Sequence, residues 1–191
     1  MTPSAAMAAL LGAWALPMSG NQEQSCRKVL QRGYKCQPLH GAWQQLININ
    51  LPAQLEFMLS DGELRYATLL KARGDEWVLA AGTVSAPFRQ DALLPLWTGR
   101  AVVLWQPGPG RLSVVRPGNR EPAVLWIRQQ LHLPADSDEA SMYDAELVAR
   151  VVEFQKARGL KADGVVGLQT LMALQAAAPA SGIPQLNPAV H

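Results

Sequence analysis

The stretch from Leu147 to Leu174 constrains this chain more than any other, because its apolar, glycine and turn residues recur at intervals only a helical hairpin satisfies. Leu147, Val151 and Phe154 recur at i, i+4, i+7, the spacing of one buried helix face. Gly159 is placed to take the left-handed position after the last turn. Leu160 would then fold back, and Lys156 and Arg158 would face the negative helix end. Asp163-Gly164 makes a turn, Gly167 stands where a second helix would be capped, and Leu171 and Leu174 give that helix its apolar face.

Read as one motif, Phe154-Gln155-x3-Gly159-Leu160-x2-Asp163-Gly164-x2-Gly167-x2-Thr170-x3-Leu174 resembles the peptidoglycan-binding domain of cell-wall enzymes and envelope proteins. The resemblance covers roughly residues 120–178 and rests on many fixed spacings at once. An internal repeat accompanies it. Met142–Leu147 precedes one helix as Val165–Thr170 precedes the next, with Asp144 and Leu147 where the second copy has Gly167 and Thr170. Asp144 is expected to cap the helix and Glu146 to pair with Arg150 on its wet side. The resemblance implies that a glycan with peptide stems meets backbone amides, an aromatic platform and a cation. The motif and loop residues Gln155, Asp163, Gly164, Val165, Gly167 and Thr170 would supply the first. Trp126 or Tyr143 would supply the second, and Arg128, Arg150 or Lys161 the third. For either aromatic, packing in the core is the competing reading.

The 191 residues allow one large or two small domains. With a net charge of only +2 and no basic block, nucleic acid is an unpromising partner. Residues 5–16 are apolar but too short for a bilayer, which takes ~20 residues. They also lack the positive flank of a signal peptide, so a buried helix is expected. An initial Met without an export signal suggests a piece of a longer protein. Cys26 and Cys36 lie ten residues apart. They are two plain thiols in the cytosol and a short closed loop in an oxidising compartment. The cell-wall resemblance favours the disulfide.

Ahead of the motif, helices are expected over 5–16, 23–31 and 37–47, and strands over 55–60, 65–72, 76–81 and 100–106. Asp61-Gly62 and Gly74-Asp75 turn the first three strands, and residues 85–96 cross over with a helical turn from Asp91. The class is α+β: helices and an antiparallel sheet, then a small three-helix unit. Leu51-Pro52-Ala53, the hairpin, and Leu93-x2-Leu96-Trp97-Thr98-Gly99-x4-Leu104 resemble the papain-like cysteine peptidases that process double-glycine bacteriocin leaders. That family's nucleophilic Cys opens the first helix, where this chain has Thr2-Pro3-Ser4-Ala5. Its His begins the strand after the hairpin, where Arg65 and Tyr66 stand. Its Asp follows the next strand, at Ala80-Ala81-Gly82. Papain-type chemistry needs all three roles, so the resemblance implies a peptidase shape without turnover. The competing arrangement is a dyad of Cys36 and His40, four residues apart where the loop enters the expected third helix; no acid is placed to orient His40, and a surface or helix-capping role is the preferred reading for it. His132 follows a helix and His191 ends the sequence, so neither builds a metal cluster with the other, and no Cys2His2 spacing is present.

The expected domains are 1–107, a Pro/Gly linker over 108–122, the three-helix unit over 123–178, and a flexible tail over 179–191. Within the linker, residues 112–115 are expected to be extended. Together the two domains are similar to the periplasmic region of the general secretion pathway protein A family of type II secretion systems. The resemblance implies a non-catalytic module that binds peptidoglycan, multimerises there with an inner-membrane partner, and helps place the outer-membrane secretin. ATP would belong to an absent cytoplasmic region, and no cofactor is expected in this chain. Two alternatives are a cell-wall hydrolase with an accessory binding domain and a purely protein-docking module.

Overall fold

The computed structural model describes residues 1–108, 114–178 and 182–187. The chain forms two compact units, Met1–Gln106 with the returning segment from Gly182, and Pro107–Ser181.

The first unit is built on helix α1 (Pro3–Ala13) and a six-stranded antiparallel sheet whose order is β1 (Lys35–His40), β6 (Trp97–Trp105), β2 (Ala53–Met58), β3 (Leu64–Arg73), β4 (Glu76–Ala81) and β5 (Val84–Arg89). Thr2 caps α1 through its side chain and Pro3 opens it, which suits a ring with fixed φ and no amide hydrogen. Ala6, Met7, Leu10 and Leu11 are fully buried, as expected of residues 5–16. The helix lies on β3 (Leu64–Arg73) and β4 (Glu76–Ala81), and the Thr68 hydroxyl donates to the Ala6 carbonyl. On the alternate side chains of β4, Trp77 stacks on Trp43 of α3 (Trp43–Ile49), with ring centroids 3.6 Å apart. Trp97 meets Trp43 edge-on.

Three expectations for this unit are corrected. Residues 35–40 are strand β1 (Lys35–His40), not the start of a helix over 37–47. Pro38 would break a helix interior, and the next helix starts only at Trp43. Cys36 and His40 therefore do not stack one turn apart. They pair instead across to Leu104 and Arg100 of β6 (Trp97–Trp105). Residues 84–89, expected to cross over, form strand β5 (Val84–Arg89), paired with β4 and followed by the short helix α4 (Gln90–Leu93). Both strands that escaped the sequence reading carry a proline, Pro38 and Pro87, and both are the edges of the sheet. Proline is tolerated there because an edge strand needs ladder partners on one side only.

The third correction concerns the tail. Instead of hanging free, residues 182–187 return to the first unit, and Leu186 is 1% exposed. Strand β2 (Ala53–Met58) begins with Ala53 opposite Leu69, so the last residues of β3 lack a partner on that side. Leu186 takes the vacancy: the Ala72 amide donates to its carbonyl and its own amide donates to the Asn50 carbonyl. Asn50, in the left-handed conformation that ends α3, then grips the Asn187 backbone with both ends of its amide. The remaining tail residues, 179–181 and 188–191, lie outside the described residues, as do 109–113 of the linker.

Cys26 on α2 (Gln22–Leu30) and Cys36 on β1 are joined in a disulfide, as expected. Closing so short a loop limits the unfolded chain and is worth about 3 kcal/mol. The Cys26→Ser/Cys36→Ser double variant should therefore lower the unfolding free energy by about that amount in urea titrations. An equal midpoint with and without reductant would contradict it.

The second unit holds helices α5 (Pro122–Gln130), α6 (Ala145–Ala157) and α7 (Leu168–Ala177). Two single-pair bridges, Val115 with Val166 and Arg120 with Met142, join the segments between them.

Candidate functional site

The candidate site in the second unit is the loop between α6 and α7. Helix α6 ends as its sequence demands. Gly159 has φ +63°, its amide donates to the Lys156 carbonyl, and the Leu160 amide reaches back to Gln155. This pair of bonds closes the last turn and starts the loop in a fixed direction.

Gln155 organises the loop from its helix side. It is 1% exposed and occupies the buried face of α6 with Leu147 and Val151, the place expected for Phe154. Its side-chain oxygen accepts from the Gly164 amide at 3.0 Å. Its Nε2 donates to the Val165 carbonyl at 2.9 Å and to the Thr170 hydroxyl at 3.2 Å. One amide thus ties together both sides of the loop and the first turn of α7. Thr170 is itself buried. Gly164 (φ +68°) favours glycine on two counts: a left-handed conformation that side chains rarely adopt, and a Cβ that would press to 3.1 Å on the Val148 side chain. Phe154, released from the core, lies half-exposed under the Arg158 guanidinium, 5.6 Å from its centroid. That pair was not singled out from the sequence, since periodicity alone does not say which of two adjacent residues faces inward.

Tyr143 belongs beneath the loop rather than on its surface. It is 1% exposed, and its hydroxyl donates to the Gly164 carbonyl at 2.6 Å. Burial, followed by the nearby Asp163 carboxylate, raises its pKa far above the ordinary phenol value, which keeps it a donor. It is a strut, not a stacking platform. Arg128 likewise is 3% exposed and is engaged by Asp144 and by Glu146, whose Oε2 is 3.3 Å away. Glu146 therefore does not pair with Arg150, which bonds Glu153 instead. Asp144 does cap α6, accepting from the Leu147 amide at 2.9 Å. Gly167 holds the equivalent position before α7 without a side-chain cap. Tyr143 and Val166, equivalent in the internal repeat, are both buried.

The groups that reach the surface are fewer. Lys161 is highly exposed and Asp163 and Arg150 partly so. Trp126 is half-buried, its ring so close to Gly108 that a Cβ there would come within 2.7 Å. Asp163 accepts from the Val165 amide at 3.0 Å and lies 3.0 Å from the Lys161 ammonium. The amide first, then Lys161, holds its carboxyl below the ordinary carboxylate value. A depressed carboxyl stabilises the fold above its unfolded pKa and loses that contribution as pH falls through the folded one. Protection of the Gly164 and Val165 amides, taken relative to their intrinsic exchange rate at each pH, should therefore fall as pH drops through and below the usual carboxylate range. Asp163→Asn should flatten that dependence, and an unchanged profile would contradict the account.

In the first unit, the three positions matched to peptidase roles converge on the start of α1. The Tyr66 amide donates to the Met1 carbonyl and the Gly82 amide to the Ala5 carbonyl. Their side chains are differently occupied: Thr2 caps the helix, Arg65 pairs with Glu63, and the Tyr66 hydroxyl donates to Glu56. With Cys26 and Cys36 bonded to each other, neither thiol is available to His40. Among the described residues no group of three His, Cys, Asp or Glu side chains is placed to hold a metal, and no helix is long and apolar enough to cross a membrane.

Residues 3–107 match the family model described as GspA, peptidase C39-like domain. The chain belongs to this GspA family. Residues 120–174 match a second model, the peptidoglycan binding domain, which contains the whole loop built on Gln155. This GspA-family chain is 26% identical over 176 residues to general secretion pathway protein A of Escherichia coli (strain K12) and, again at 26%, to general secretion pathway protein A of Aeromonas hydrophila. The matches take in 91% of the chain but 36% and 32% of those relatives, so it spans about a third of their length. A crystal structure of a periplasmic domain of the EpsAB fusion protein, from the Vibrio vulnificus type II secretion system, superposes with a TM-score of 0.60. It is 26% identical and is matched over 95% of this chain and 81% of its own.

Proposed function

We propose that this GspA-family chain is a peptidoglycan-binding assembly module of a type II secretion system, working in the periplasm and without catalysis. The observation that carries the reading is the loop Lys161–Gly167. It falls inside the peptidoglycan binding match, is braced from below by buried Gln155, Tyr143 and Thr170, and offers Asp163, Lys161 and the uncapped start of α7 to solvent. Loop amides and a helix N-terminus suit the carboxylates and acetamido groups of a wall polymer. On this reading Val165, Gly164 and Gly167 contribute backbone, Arg150 or Lys161 the cation and Trp126 the aromatic surface. Arg128, Gln155 and Tyr143 act by holding the loop. We assign the wall-binding domain to 123–178 and the peptidase-like domain to 1–107.

The first unit lends shape and docking surface. Residues 2–5, 65–66 and 80–82 carry no thiol, imidazole or carboxylate where the peptidase resemblance needs them. The relatives' names place them in the general secretion pathway and in a type II secretion system. Beyond those names we propose an inner-membrane partner, self-association on the wall and a role in placing the outer-membrane secretin, with any ATP-dependent step belonging to sequence outside this chain. Single contacts of this kind are weak, and many copies on one polymer would supply the avidity.

The deciding test is co-sedimentation of the full chain with purified sacculi. Saturable binding is expected, reduced about tenfold by an Asp163→Ala/Arg150→Ala double variant whose second unit is still folded under the assay conditions, with no muropeptide released. Failure of the unmodified chain to sediment would overturn wall binding. Release of soluble fragments would instead favour a hydrolase.

A further inference from the structure

The first unit contains a cleft of 330 Å³ between the starts of α1 and α2 and strands β1, β6, β2 and β3. Its depth is set by Gln54, which is 3% exposed. The Gln54 Nε2 donates to Gln22 Oε1 at 3.0 Å and to the Pro3 carbonyl at 3.4 Å. These bonds fix the amide in one orientation and leave its carbonyl oxygen buried with no donor. An unmet buried acceptor of this kind destabilises the fold unless something donates to it.

Two residues along β2, Glu56 adds a carboxylate whose side chain is only 14% exposed. Its oxygens accept from hydroxyls, Tyr66 at 3.1 Å and Thr98 at 2.9 Å. The Arg100 guanidinium stays 3.9 Å off, beyond hydrogen-bond reach, with its side chain 63% exposed at the mouth. Its cross-strand partner His40 is exposed there too. The cleft is thus lined with acceptors inside and basic side chains outside.

We propose that this cleft binds the free amino-acid end of a peptide, its ammonium directed to Gln54 and Glu56 and its carboxylate to Arg100. An ammonium brings three donors and a positive charge, which supplies the missing partner of the Gln54 oxygen and a cation within hydrogen-bond reach of Glu56, whose ion pair with Arg100 is long at 3.9 Å. A carboxylate a few ångströms away meets Arg100, the residue type whose planar fork suits it. The volume suits an amino acid or dipeptide end rather than a folded partner. For the source of that end the proposal rests on the wall reading: peptidoglycan stems carry such aminocarboxylates, so the first unit would read the stem while the second holds the strand.

The test is a ¹H–¹⁵N titration of the full chain with meso-diaminopimelate. Saturable shifts centred on Gln54, Glu56, Tyr66 and Arg100 are expected, and they should vanish with the N-acetylated ligand. Glu56→Gln and Arg100→Gln should each weaken binding about tenfold or more. Because the Arg100 side chain is largely exposed, its variant should keep the unmodified unfolding midpoint. No saturation, equal binding of the acetylated ligand, or indifference to both substitutions would overturn the proposal. Titration by diaminopimelate without sedimentation on sacculi would leave the cleft standing and remove the wall reading. Sedimentation that depends on Asp163, without titration, would do the reverse.

Discussion

Replacing Gln155 with alanine is expected to unfold the α6–α7 loop and abolish sedimentation with sacculi while leaving the first unit folded. The substitution strands the Gly164 amide, the Val165 carbonyl and the Thr170 hydroxyl. Groups of this kind, deprived of a partner in a buried setting, cost about 1–3 kcal/mol each. Some will be met by water once the side chain is gone, so a net loss of about 3 kcal/mol is expected for the second unit. Gln155→Glu is the informative companion. It keeps an acceptor for Gly164 but loses the donor to Val165 and Thr170, and it places a charge at a buried site, so it should rescue nothing. Separate urea transitions for the two units, with sedimentation measured on the same samples, check both statements. A Gln155→Ala protein that unfolds as the unmodified chain does would show that the bracing is not what fixes the loop.

The second large effect should come from a residue far from the first unit in sequence. Leu186→Ala removes a fully buried side chain and is expected to destabilise that unit by about 3 kcal/mol, within the range for large-to-small core changes. Leu186→Met, which conserves volume, should cost less than about 1.5 kcal/mol. Ending the chain after Ser181 should be worse than Leu186→Ala. It also frees the Ala72 amide and both ends of the Asn50 side chain. Fluorescence of the stacked Trp43 and Trp77 in urea reports this unit, and an unmoved midpoint after truncation would refute the role assigned to the tail.

Much of the second unit was legible because its signals are local. Gly159, Asp144, Gly164 and Gly167 each act on backbone within a few residues, so their spacing alone predicts a helix end, a cap or a turn. What failed there was radial: Phe154 and Gln155 are neighbours, and hydrophobicity favours the wrong one for the interior. Only the loop's unmet backbone groups, visible once folded, explain why a glutamine is buried. The same holds for Arg128 and Tyr143, which read as ligand groups in sequence and are partners of Asp144, Glu146 and Gly164 in the fold.

By itself the sequence determined the α+β class, the buried first helix, the meander of β2, β3 and β4, the turn chemistry of the α6–α7 loop and the family. These rest on periodicity, on glycine and proline, and on spacing over short stretches. Tertiary structure alone decided the two proline-bearing edge strands, the return of Leu186 to a gap beside β3, and the meeting of Gln22, Gln54, Glu56 and Arg100 around one cleft. Each depends on which backbone or side-chain groups lie opposite one another across many residues of chain. That is a property of packing and register, and no local pattern encodes it.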